Sequence, residues 1–170
     1  MEEQLLLSII EGIKKTRGQY PGKKELQKTI YLLQKKGFLS DYSFRFHFYG
    51  PYSDSLDENI QRLAIQGVLE IQHDEQTHRI VPSSSRSNET SQSNSCTNEM
   101  DIALSTLGNI SARDMELMAT IVFLIDNHIV SEPHSETSVI ANVHTVKKDK
   151  YSDMEIRRYY HLLKEHAYIQ

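Results

Sequence analysis

Between residues 42 and 71 the repeat of the apolar residues changes from strand-like to helical and back, and those changes limit what the chain can build. Tyr42, Phe44, Phe46 and Phe48 alternate with Ser43, Arg45, His47 and Tyr49, the two-residue repeat of a strand with one face in a core. Gly50-Pro51 then ends the ladder, and Ser55 with Glu58 three residues on has the form of a capping box. Leu56, Ile60, Leu63 and Ala64 follow at helical spacing, and Gly67 supplies the left-handed residue on which a helix can stop. Val68-Leu69-Glu70-Ile71 and the returning Arg79-Ile80-Val81, separated by the polar turn Asp74-Glu75-Gln76-Thr77, read as a hairpin. A helix, a glycine and a two-stranded ribbon close a winged-helix module, so the remaining elements are expected to dock on this one.

Two helices precede it. Leu5, Leu6, Ile9, Ile10 and Ile13 form an amphipathic stripe over residues 4 to 16, ended by Gly18 and Pro21-Gly22. Residues 23 to 36 repeat the pattern with Leu26, Ile30 and Leu33 before Gly37. Segment 83–100 changes character: it is rich in Ser and Asn and has no apolar anchor over most of its length, which predicts a flexible linker. Beyond it, Ser111 and Asp114 open a helix that is apolar on all sides from Met115 to Ile125 and ends near His128, before Glu132-Pro133-His134. A shorter helix over 136–148 turns Val139, Ile140 and Val143 inward, and Ser152 with Glu155 gives a capping box for a last helix carrying Ile156, Tyr160 and Leu163. The expected fold is α+β, mainly α. It comprises a winged-helix-like module over 1–82, a linker over 83–100, and a three-helix, helix-turn-helix-like unit over 101–170, either docked on the first or independent of it.

A chain of 170 residues is long enough for a real core. No apolar run approaches the roughly 20 residues of a bilayer span, and Met1-Glu2-Glu3 lacks the basic start of a secretory signal. With Cys96 alone no internal disulfide can form, and its polar setting does not activate a thiol. A cytoplasmic protein without membrane contact is the expectation. The net charge of −4 weighs against a surface built wholly for nucleic acid, although Lys14, Lys15, Arg17, Lys23, Lys24, Lys28, Lys35 and Lys36 crowd the first two helices.

Three pieces at their present separation resemble the bacterial YwgA-like proteins: Lys24-Glu25-Leu26-Gln27-Lys28-Thr29-Ile30-Tyr31, Phe46-His47-Phe48-Tyr49-Gly50-Pro51-Tyr52-Ser53, and Leu63 to Leu69. Met115 to Ile121 and Lys150 to Ile156 are similar to the second half of that pattern. The Leu-Gln-Lys helix and the Tyr-Gly-Pro turn also resemble the Panacea (SocA-like) antitoxin domain. The first resemblance implies a fold; the second implies an antitoxin that neutralises a partner by binding it.

Catalytic chemistry finds no footing. No phosphate-cradling glycine loop, no nucleophile elbow and no recognisable carboxylate pair is present. His47, His73 and His78 could meet only if the hairpin folded over the aromatic strand, and no zinc spacing supports that. His161 and Glu165 read as a surface pair. The protein is therefore expected to be non-enzymatic, with no cofactor and no metal. Its leading function is regulation by protein binding, of the antitoxin or adaptor kind, through Arg45, His47, Tyr49, Gly50, Pro51 and Tyr52, because Tyr and Arg anchor interfaces. The partner would be a toxin or another regulatory target. The alternative is a DNA-binding regulator using Lys147, Lys148, Lys150, Arg157, Arg158, His161 and Lys164 on and before the last helix. Asp54, Asp57 and Glu58 disqualify the central helix from that role by repulsion.

Overall fold

Where leucine and isoleucine recur every three to four residues the chain forms helices, and their shared face becomes the core. The computed structural model describes residues 2–39, 42–73, 78–83, 98–127, 129 and 135–170. Helix α1 (Glu2–Arg17) buries Leu6, Ile9, Ile10 and Ile13 as its spacing requires. Helix α2 (Lys23–Lys35) departs from a simple amphipathic pattern. Leu26, Ile30 and Leu33 are buried, but so are Gln27, Lys28, Thr29, Tyr31 and Leu32, so the middle of the helix is enclosed all round.

The aromatic segment is shorter and more bent than its alternation predicts. Strand β1 (Arg45–His47) turns through Phe48-Tyr49 into β2 (Gly50–Tyr52), with Arg45 opposite Tyr52, Phe46 opposite Pro51 and His47 opposite Gly50. Gly50-Pro51 thus forms the second strand instead of ending the first. Two features of the sequence permit this: Gly50 takes φ +88, which closes a two-residue reversal, and an edge strand tolerates a proline that donates no hydrogen bond. Phe44 and Phe46 point inward, against Tyr31 at 4.9 Å and Phe123 at 5.5 Å between ring centroids. Phe48, expected on the same inner face, falls in the reversal and is 79% exposed.

Helix α3 (Asp54–Ile65) buries Leu56, Ile60 and Leu63, and its cap is Ser53, not the expected Ser55. The Ser53 hydroxyl accepts from the Leu56 amide at 3.2 Å. Gln27 of α2 brackets the same residue, accepting from the Ser53 amide at 2.9 Å and donating to its carbonyl at 3.0 Å. That partner lies 26 residues away, beyond the reach of a local pattern. After Gly67 the chain forms the antiparallel strands β3 (Leu69–His73) and β4 (His78–Pro82). The Ile80 amide of β4 bonds to the Pro21 carbonyl at 3.0 Å, tying this ribbon to the start of α2. Ser83 still belongs to the fold, its amide donating to Val68. The turn 74–77, residues 84–97 of the expected linker with Cys96, His128 and 132–134 lie outside the described residues.

The second half holds four helices among the described residues where three were expected: α4 (Asn98–Gly108), α5 (Ala112–Asp126), α6 (Glu136–Lys147) and α7 (Asp153–Glu165), with a single 3-10 turn (Lys148–Lys150) before the last. Helix α4 begins inside the expected linker. Its stripe of Met100, Ala103, Leu104 and Leu107 packs on α1 at close range: a Cβ on Gly12 would lie 2.7 Å from Leu104, and one on Gly108 2.0 Å from Thr16. Helix α5 is buried on every side from Met115 to Ile125, as its composition predicts. Helix α7 opens with the complete Ser152/Glu155 capping box. Tyr168 and Ile169 after α7 are buried without forming a strand. The architecture is α+β, mainly α, with one cluster of buried side chains drawn from both halves. Among the described residues no helix is long and apolar enough to cross a membrane.

Candidate functional site

The β1–β2 hairpin is held from beneath by charge rather than by apolar packing alone. Glu116 is the only ionised side chain in the buried span of α5, and its Oε1 accepts from Lys147 at 2.9 Å and from Lys150 at 2.8 Å. Lys147 also donates to the Phe48 carbonyl at 2.8 Å, and Lys28 donates to the Pro51 carbonyl at 3.0 Å. Two buried ammonium groups from α6 and α2 thereby satisfy backbone acceptors at the reversal and in β2. Between them Gly50 lies directly on α5, where a Cβ would stand 3.2 Å from the Thr120 hydroxyl and 3.7 Å from the Glu116 side chain.

Burial and pairing set the protonation of this cluster. Burial pushes the Lys28 ammonium down to about 8; Glu116 opposes the shift while Lys147 and Lys24 add to it. Burial likewise lowers Lys147, against the pull of Glu116. Burial would raise the Glu116 carboxyl, but hydrogen bonds from Lys150 and Lys147 outweigh it and hold the group below the usual carboxylate range. Glu116 therefore stays ionised near neutrality.

Above this foundation the hairpin tip faces outward. Phe48 and Tyr49 meet edge to face at 5.1 Å, and the Lys24 ammonium lies 3.5 Å over the Tyr49 ring. Arg45 forms a two-pronged pair with Asp54 at 2.7 and 3.1 Å, and His47 lies against Tyr52. Burial and a hydrogen bond with Asp57 push the Tyr52 hydroxyl up to about 12. The protein-binding set Arg45, His47, Tyr49, Gly50, Pro51 and Tyr52 is thus brought together on one hairpin. Gly50 and Pro51 are buried in it, so they shape the surface without forming it.

The DNA-binding set is not brought together in the same sense. Lys147 and Lys150 converge on Glu116, while Arg157 and His161 both converge on Glu136 at 2.5 and 2.8 Å. His161 thus pairs across to α6 instead of with Glu165. Arg158 and Lys164 lie over Tyr159 and Tyr160, and Lys148 follows α6 with a positive φ. His73 and His78 face each other across β3 and β4, and among the described residues no group of three or more His, Cys, Asp or Glu could hold a metal.

Sequence reasoning missed Phe48, Lys28, Glu116 and Gln27. Lys28 and Glu116 did leave a signal: each is a charge set in a stretch otherwise rich in apolar residues, Leu26 to Leu33 and Met115 to Ile125. No protein-family profile matches the chain. A stretch of 52 residues is 44% identical to the uncharacterized protein YwgA of Bacillus subtilis strain 168. The match spans 31% of this chain and 31% of that relative, so the likeness covers about a third of each.

Proposed function

We propose that this protein is a non-enzymatic binding module that engages a protein partner through the tip of the β1–β2 hairpin. The observation that carries this reading is Phe48, a large aromatic left 79% exposed on a reversal whose backbone is pinned by the buried Lys147. An exposed phenylalanine gains about 2 kcal/mol when a partner covers it. A pinned reversal loses little further freedom on docking, which favours affinity. Tyr49, Arg45 and His47 flank it with the aromatic and cationic groups that anchor interfaces. A partner of the toxin kind is the version of this proposal that the Panacea-like motifs favour, with an adaptor role as its more general form.

Binding to DNA is the weaker reading. Glu136 and Glu116 pair with four of its seven candidate side chains, which partly neutralises what each of them offers to a polyanion. The test is a photo-crosslinking phenylalanine analogue at position 48 in cells of the source organism, with Ile65 and Met154, both highly exposed, as control positions. A discrete protein adduct at position 48 that is absent at both controls supports the proposal. Equal labelling at all three positions, or none at position 48, refutes it.

A further inference from the structure

Beside the hairpin tip, α2 and the start of α5 enclose a cleft of about 370 Å³ lined by Lys24, Lys28, Tyr49, Arg113, Glu116 and Lys150. We infer that this cleft binds a phosphate group, either the free ion or the phosphate of a small phosphomonoester. The inference is independent of the protein-binding proposal.

The argument begins with charge. Glu25, which also lines the cleft, lies 2.8 Å from Arg17, and Glu155 is taken up by Arg113. Among the described residues this leaves the Glu116 carboxylate facing Lys147 and Lys150, while neither Lys24 nor Lys28 has a carboxylate at ion-pair distance. A nearly buried cation without a carboxylate partner, as Lys28 is, is unfavourable unless an anion joins it.

Hydrogen bonding points the same way. Lys28 is only 3% exposed and an ammonium carries three donors, yet its one acceptor among the described residues is the Pro51 carbonyl. Two donors of a nearly buried cation are left for whatever occupies the cleft. The helix ends reinforce this, because Ala112 and Arg113 are the first residues of α5, and Lys24 and Glu25 lie in the first turn of α2. Both helix N-termini favour negative charge.

The form of the cleft narrows the ligand class. Cations reach it from α2, from α5 and from the turn before α7, an arrangement that suits the three terminal oxygens of a phosphate better than the two of a carboxylate. The volume lies at the small end of ligand pockets, and the Tyr49 ring offers one flat wall for a compact organic body.

The test uses the full chain near pH 7 at constant ionic strength, with chloride replaced stepwise by inorganic phosphate, glycerol 3-phosphate or sulfate. Thermal unfolding and titration calorimetry are the readouts. The expected result is a saturable rise in Tm with one phosphate or phosphomonoester bound. Equal affinity for the two identifies the free ion as ligand, whereas tighter binding of the ester places its organic body on Tyr49; both support the inference. Lys28→Met and Lys24→Gln should each weaken binding about tenfold or more, the cost of one charge-assisted hydrogen bond. Lys24 is exposed, so Lys24→Gln decides the matter if Lys28→Met fails to fold. No saturable response, a response equal for sulfate and without saturation, or a response unchanged by both substitutions would overturn the inference.

Discussion

Replacing Glu116 by glutamine removes one negative charge from the buried point where two ammonium groups meet, while keeping the size and an acceptor. The Lys147 Nζ lies 2.9 Å from the carboxylate, and at an effective dielectric of about 20 that pair attracts by about 6 kcal/mol. The full amount is not lost, because an isolated buried ammonium can shed its proton. Near pH 7 that escape costs about 5 kcal/mol at most, the distance from an ordinary lysine pKa. The glutamine carbonyl recovers part of the remainder, and Lys150, 40% exposed, contributes about 1 kcal/mol or less. The expected destabilisation is about 3 kcal/mol, at the lower edge of the range for breaking a buried pair. In a chain of this length that lowers Tm by about 6–12 °C.

The assay is urea unfolding of the native protein, Glu116→Gln, Lys147→Met and the double variant, followed by circular dichroism. The coupling energy of the cycle should be about 2 kcal/mol. Relative to the native protein, Glu116→Gln should also gain stability as pH rises from neutrality, because its unfolded state then holds the Lys147 proton that its folded state has released. A Glu116→Gln protein within about 1 kcal/mol of native, or a coupling below about 0.5 kcal/mol, would show that the carboxylate does not anchor the hairpin.

Three further outcomes follow from the same geometry. Gly50→Ala forces a side chain into φ +88 and against Thr120, and should cost about 2 kcal/mol, measured by thermal unfolding. Ser53→Ala removes the cap of α3 and should cost about 1 kcal/mol or more, whereas Ser55→Ala should cost less than half of that; the reverse order in urea titrations would restore the Ser55/Glu58 capping box. For Lys28 the folded pKa of about 8 lies below the ordinary 10.5, so the folded state releases its proton first as pH rises. The burial penalty is therefore complete below about 8 and relieved toward 10.5. The native protein should gain up to about 3 kcal/mol over that window relative to Lys28→Met. Taking the difference between the two proteins cancels the ionisation of the tyrosines, and a flat difference would refute the shift.

Much of the fold was legible in the sequence because it depends on local repeats. The stripe of α1, the all-round apolar α5 and the Ser152/Glu155 box each report an interaction within about one helical turn, and each stands where its pattern places it. The errors have one physical source. The alternation from Tyr42 to Phe48 shows which residues suit a strand, but not where the strand reverses. The reversal at Phe48-Tyr49 depends on Lys147 at a separation of 99 residues and on the close approach of Gly50 to Thr120. Ser53 prevails over Ser55 as cap because Gln27 holds it from another helix. Helix α4 was hidden by the polar run before it, although Met100, Leu104 and Leu107 carry a helical stripe.

The candidate site divides in the same way. From the sequence alone came the hairpin residues Arg45, His47, Tyr49 and Tyr52 and the prospect of a surface that binds, since residue type and spacing determine which groups share one short segment. Only the tertiary structure decided that Phe48 stands outside, that Lys28 is buried, and that Glu116 gathers Lys147 and Lys150 beneath the hairpin. The reason is that charge pairing and burial depend on distances between segments far apart in the chain, and no local repeat encodes those distances.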